Sequence, residues 1–187
     1  MATSKRFVVI TGRPGVGKTT LVKRVLERLA SDGISVIGFY CPEVRVGGRR
    51  IGFRIESLDG RVSGWLAKIS GCDGPMVGRY TTCREAEKVA EDALRGLVRA
   101  DLVIIDEIGP MELRLPGIRR VILNVIKSEK PGVFVAHYRL RDPEILPVLK
   151  TKGYWFEVTP ENRDRLVDEV YAIAKDLVSK VRARESS

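Results

Sequence analysis

Residues 7–29 read FVVITGRPGVGKTTLVKRVLERL, three patterns in unbroken succession. Phe7 to Thr11 is a short, β-rich apolar run. It breaks into a glycine-rich segment, Gly12, Arg13, Pro14, Gly15, Val16, Gly17, Lys18, Thr19 and Thr20. Leu21, Val22, Val25, Leu26 and Leu29 then recur at the three- and four-residue spacing of one helix face, and Asp32-Gly33 stops the helix. Strand, loop and helix in that order distinguish a phosphate-binding G-x-x-x-x-G-K-[ST] loop from a glycine-rich turn.

The residue types follow from what a polyphosphate needs. Its oxygens require many donors at short range, and backbone N–H groups supply them only where side chains leave room, which Gly12, Gly15 and Gly17 do. A helix starting near Lys18 adds unpaired N–H groups and the positive end of its dipole. Lys18 is placed to reach the β- and γ-phosphates, Thr19 to ligate Mg²⁺ through its hydroxyl, and Arg13 to make a further phosphate contact.

Such a loop calls for a carboxylate at the carboxyl end of a nearby parallel strand. LVIIDEIGP at 102–110 supplies one: Leu102, Val103, Ile104 and Ile105 run into Asp106 and Glu107, followed by Ile108 and Gly109. Asp106 is expected to hold the ion with Thr19. Glu107, at the strand's end, is expected to orient and deprotonate water. The alternative for Asp106 is a cap on the following turn; for Glu107 it is a solvated carboxylate.

The rest of the chain fits an α/β fold: a mainly parallel sheet flanked by helices, of the P-loop kind, with an inserted antiparallel β-hairpin. Apolar strands are expected at 34–40, 132–137 and 154–159, besides the first and the run from Leu102 that ends in Asp106 and Glu107. Ile51, Phe53 and Ile55 alternate with polar or small residues, and Asp59-Gly60 turns that strand back into RVSGWLA. A short strand near Val77 to Thr82 precedes a helix with Ala86, Val89, Ala90, Ala93, Leu94, Leu97 and Val98 on one face. Ile118, Val121, Ile122, Val125 and Ile126 mark another helix. Asp142-Pro143 and Thr159-Pro160 each read as a cap followed by a first helical position, with Pro147 shortening or bending the first of these helices.

The 187 residues suit one domain spanning 1–187, with disorder expected only at the tips, Met1 to Lys5 and Arg182 to Ser187. The absence of a leader-like or membrane-spanning stretch fits a cytoplasmic protein with no membrane partner. Cys41, Cys72 and Cys83 are odd in number and lack C-x-x-C spacing, so neither a disulfide framework nor a zinc site is expected. A net charge of +9 favours anionic partners, yet the basic residues are dispersed without aromatic interleaving, so nucleic acid is not the expected partner. A monomer is favoured. Further site candidates rest on position alone: His137 at the end of the next strand, Arg139 and Arg141 just beyond it, and Asn162 and Arg163 after the last strand.

The loop, GFYCPEVRVGGRRIGF at 38–53, VGRY at 77–80, DEIGPMEL at 106–113 and VTPENRD at 158–164 occur in order over nearly the whole chain. Together they resemble the small nucleoside-triphosphatase family of thermophilic archaea and bacteria, whose vertebrate relatives are called cancer-related nucleoside-triphosphatases. That resemblance implies a RecA-like or nucleotide-kinase-like fold. It also implies Mg²⁺-dependent hydrolysis of nucleoside triphosphates with broad base tolerance, and two nucleotide-site segments, Gly12 to Thr19 and Leu102 to Gly109. Lys18 and Glu107 are then the catalytic pair. A nucleotide or nucleoside kinase and a nucleic-acid-associated ATPase module stand as alternatives.

Overall fold

A computed structural model describes residues 4–187. Its elements run β1 (Phe7–Thr11), α1 (Lys18–Ser31), β2 (Val36–Tyr40), β3 (Glu43–Val46), β4 (Arg49–Ser57), β5 (Ser63–Lys68), β6 (Met76–Val77), β7 (Tyr80–Thr82), α2 (Glu85–Ala93), β8 (Leu102–Ile108), α3 (Pro110–Leu113), α4 (Pro116–Lys127), β9 (Gly132–Ala136), α5 (Ile145–Lys152), β10 (Gly153–Glu157) and α6 (Arg163–Glu185). Among the described residues ten strands form one sheet, ordered β10-β1-β9-β8-β2-β4-β5-β7-β6, with β3 paired to β4. The first five in that order are parallel. From β4 onward every pairing is antiparallel.

Strand alternation builds two cores, because successive side chains leave a sheet on opposite faces. Phe7, Val9, Val103, Ile105 and Phe134 meet Ala86 and Val89 of α2, Ile118 and Ile122 of α4, and Ile145 and Leu149 of α5. Val8, Ile10, Leu102, Ile104, Val133 and Val135 meet Leu21 and Val25 of α1 and Leu166, Val170 and Ala174 of α6. Strands buried on both faces read as unbroken apolar runs, which is why these strands were visible in the sequence. Their parallel arrangement brings the carboxyl ends of β1, β9 and β8 to one edge, with β9 standing between the other two.

Several expectations are corrected. The antiparallel insertion is a wing of five strands, β3 to β7, rather than one hairpin, and the strand expected at Val77 to Thr82 is the small hairpin of β6 and β7. Helix α2 ends at Ala93, and a turn with Gly96 at φ +91° leaves Val98 85% exposed, although its spacing continues the apolar face. Helix α6 starts at Arg163, three residues past Pro160, and continues to Glu185 across most of the tip expected to be disordered. There Arg182 pairs with Asp101 at 2.8 Å. Met1 to Thr3 of the other tip lie outside the described residues.

Helix α5 starts at Ile145 with Glu144 at its N-cap, so Pro143 is not its first residue. Asp142 Oδ1 accepts N–H bonds from Glu144 and Ile145 at 3.0 Å and closes the turn that leads into the helix. Pro147 sits in that helix's first turn, where no N–H is required. Cys72 and Cys83 form a disulfide, contrary to expectation. The 71–75 segment doubles back along β7, with Gly74 N–H donating to Thr82 O at 2.7 Å, and this sets the two Cα atoms 4.8 Å apart. Cys41 is free. No helix of the described residues is long and apolar enough to cross a membrane.

Candidate active site

The loop between β1 and α1 turns on two glycines. A Cβ at Gly12 would lie 2.8 Å from Val158 O, so only glycine lets the loop leave β1 against the end of β10. Gly17, at φ +106°, delivers the chain into α1. Lys18 Nζ folds back over the loop, donating to Gly12 O at 2.6 Å and Arg13 O at 3.2 Å. Its ammonium is thus anchored at the rim of the backbone cradle.

Thr19, one residue into α1, donates its hydroxyl to Asp106 Oδ2 at 2.7 Å, joining the loop helix to β8 across 87 residues of sequence. Asp106 is buried; burial raises its carboxyl above the ordinary range, while the Thr19 bond and the charges of Lys18 and Lys23 pull it down. Burial, and then the charge of Asp106, push Glu107 up to about 7, against the pull of Lys18. A carboxyl at that value exchanges protons near neutrality, as a general base must.

Behind these two lies a third carboxyl. Glu112 of α3 is only 4% exposed, and burial followed by the charge of Glu107 raises it well above the ordinary range. Burial and Glu112 in turn push the Cys41 thiol up. Sequence reasoning passed over Glu112. Its one signal was a charged residue among apolar neighbours in the short segment after Gly109.

His137 follows β9, between the loop and the β8 carboxylates. Its N–H donates to Ile108 O at 2.9 Å, and its Nδ1 accepts from Arg139 N–H at 3.0 Å. Burial, then Lys18 and Arg139, lower its pKa, so the imidazole is neutral and its Nε2 is not taken up by the Arg139 turn. His137 lines a cleft of about 830 Å³ with Gly12, Arg13, Arg141, Tyr138 and Trp155.

A family model described as NTPase matches residues 7–171. The chain belongs to the NTPase family. It is 58% identical over 175 residues to nucleoside-triphosphatase THEP1 of Hyperthermus butylicus, covering 93% of this chain and 94% of the relative. To THEP1 of Ignicoccus hospitalis it is 46% identical, covering 84% and 90%. Among solved structures, THEP1 from Aquifex aeolicus superposes with a TM-score of 0.77 at 32% identity, covering 90% of this chain and 98% of that one. A human cancer-related nucleoside triphosphatase gives 0.71 at 32% identity, covering 91% and 98%. The expected family and P-loop fold are therefore borne out, and the enzyme class is nucleoside-triphosphate phosphatase.

Within this NTPase the expected site residues separate by their surroundings. Gly12 to Thr19, Asp106, Glu107, His137 and Arg141 gather at the carboxyl edge of the sheet around the loop and its cleft. Leu102, Val103, Ile104, Ile105 and Ile108 are fully buried in the two cores, so their side chains fix β8 and do not face the cleft. Asn162 is committed elsewhere: its Oδ1 accepts from Thr159 N–H at 2.8 Å and its Nδ2 donates to Glu157 O at 2.9 Å, which closes the turn into α6. Arg139 lies over the Tyr138 ring, 5.3 Å from its centroid. Arg163 packs along Gly17 and, with Thr20, Arg24 and Asp164, lines a smaller cavity of about 240 Å³.

Proposed function

We propose that this NTPase hydrolyses nucleoside triphosphates to diphosphate and phosphate, with Mg²⁺ and with little preference among bases. The contact between Thr19 and Asp106 carries the reading, because it joins the phosphate loop to a strand end whose next residue is a carboxyl poised near neutrality. A hydroxyl and a carboxylate are hard oxygen donors suited to Mg²⁺. Among the described residues no cluster of three or more His, Cys, Asp or Glu side chains is set to hold a metal, so Thr19 and Asp106 would hold the ion with phosphate and water oxygens completing its shell. When bound, the ion supplies charge neutralisation at the β- and γ-phosphates.

The loop N–H groups and Lys18 hold the triphosphate and stabilise charge on its oxygens. Glu107 takes the proton of a water attacking the γ-phosphorus in line. As that bond forms, the bond from phosphorus to the β,γ-bridging oxygen breaks, releasing diphosphate and phosphate. Glu107→Gln should keep nucleotide affinity within a few-fold while kcat falls by about 10²–10⁴. Phosphate release near the parent rate would remove Glu107 from the role of base.

A further inference from the structure

In the sheet order β10-β1-β9-β8, the carboxylates of β8 lie to one side of the phosphate loop and β10 lies to the other. A triphosphate with its γ end toward Asp106 and Glu107 must send its nucleoside toward β10. The cleft of about 830 Å³ runs that way, from His137 past Gly12 and Arg13 to Trp155 and Glu157 of β10. It falls within the size range of small-molecule sites. A second cavity beside the loop is about 240 Å³, and the Arg24–Asp164 ion pair at 2.9 Å lies among its walls.

Trp155 and Tyr138 give this cleft its chemistry. Trp155 spends its only polar group internally, donating Nε1–H to Leu149 O at 2.9 Å, and is 37% exposed. Its ring can therefore offer a face but no hydrogen bond. Tyr138 is 54% exposed, stacked on His137 with ring centroids 4.5 Å apart. Arg141 and Lys150 add cations to the same wall. Every nucleobase has a π-face, whereas reading one base against another needs fixed donors and acceptors at its edges.

We propose that Trp155 and Tyr138 form the nucleoside subsite of this enzyme, holding purines and pyrimidines alike by stacking, and that this is where broad base tolerance arises. The inference rests on the proposed triphosphatase reading and deepens it. Trp155→Ala should raise KM for ATP, GTP, CTP and UTP together by about 5- to 100-fold, with kcat within about twofold and purines affected most. Trp155→Phe should recover most of the loss. Inorganic tripolyphosphate, which has the phosphates and no base, should inhibit the parent and the alanine variant equally.

A direct measurement avoids reliance on the alanine variant's folding. With Trp65→Phe as background, Trp155 is the remaining tryptophan, and nucleotides should quench its emission while tripolyphosphate should not. Unchanged KM in folded Trp155→Ala, or emission indifferent to saturating nucleotide, overturns the subsite while leaving hydrolysis standing. Absence of phosphate release by the parent from any of the four nucleotides overturns the triphosphatase reading instead.

Discussion

Two adjacent residues, Asp106 and Glu107, face nearly the same surroundings yet differ in what their protonation should do. Asp106 has a hydroxyl donor at 2.7 Å, while the pull of Lys18 on Glu107 is outweighed by burial and by the charge of Asp106. Glu107 must be ionised to take a proton, and its value of about 7 lies above the ordinary carboxyl range. On the acid side kcat/KM should climb about tenfold per pH unit and level off above pH 7. A profile flat from about pH 5.5 to about 8 would show that another group sets the rate. The same shift acts on stability with a definite sign. Because the folded value is raised, the proton on Glu107 stabilises the fold at pH below the ordinary carboxyl value of 4.5, and that contribution is lost as pH rises through about 7. Ligand-free Glu107→Gln should accordingly melt higher than the parent at pH 8, by a difference that shrinks toward pH 5.

At the scale of elements, the glycine with the least room for a side chain lies where β2 pairs with β8. A Cβ on Gly38, at φ +142°, would fall 1.6 Å from Ile104 O, so the pairing of β2 with β8 depends on a residue with no side chain. Gly38→Ala should cost several kcal/mol or prevent folding, measurable by denaturant melts; loss below about 1 kcal/mol would mean the strands can part without consequence. Which elements were legible in the sequence follows from how locally each is determined. The central parallel strands β1, β8 and β9 announce themselves because both faces are buried, and the loop because its glycines, Lys18 and Thr19 must stand at fixed offsets. The short helix α3 and the disulfide were hidden, since four residues carry no period and Cys72 finds Cys83 only through the doubling back along β7. Val98 misled for the converse reason: periodicity continues past a helix end that Gly96 sets. In the site, the loop and the β8 carboxylates could be read directly, but Asn162 could not, because its role as the brace of the α6 turn depends on backbone atoms of Thr159 and Glu157. Trp155 looked like one more strand residue until β10 was placed beside β1.

Across the whole molecule, chemistry and bracing occupy different halves of the sheet. The parallel half carries the loop, both carboxylates and the cleft, whereas the antiparallel wing holds the disulfide between Cys72 and Cys83. A cross-link closing a loop of this length contributes on the order of 2–3 kcal/mol, mostly by restricting the unfolded chain. Cys72→Ser should lower Tm by roughly 5–10 °C under non-reducing conditions and leave kcat at 25 °C unchanged. A fall in kcat with no change in Tm would mean that the wing is coupled to the site. The strand order has one more consequence. With β9 standing between β1 and β8, the backbones of the strand that leads into the phosphate loop and the strand that carries the carboxylates are held two interstrand hydrogen-bond spacings apart, about 10 Å in all. Side chains such as Thr19 and Asp106 must close that gap. The sheet thus works as a ruler with a single graduation. Evolution can exchange the side chains at either end, but it cannot tune the gap gradually, because the next available setting is one whole strand wider or narrower.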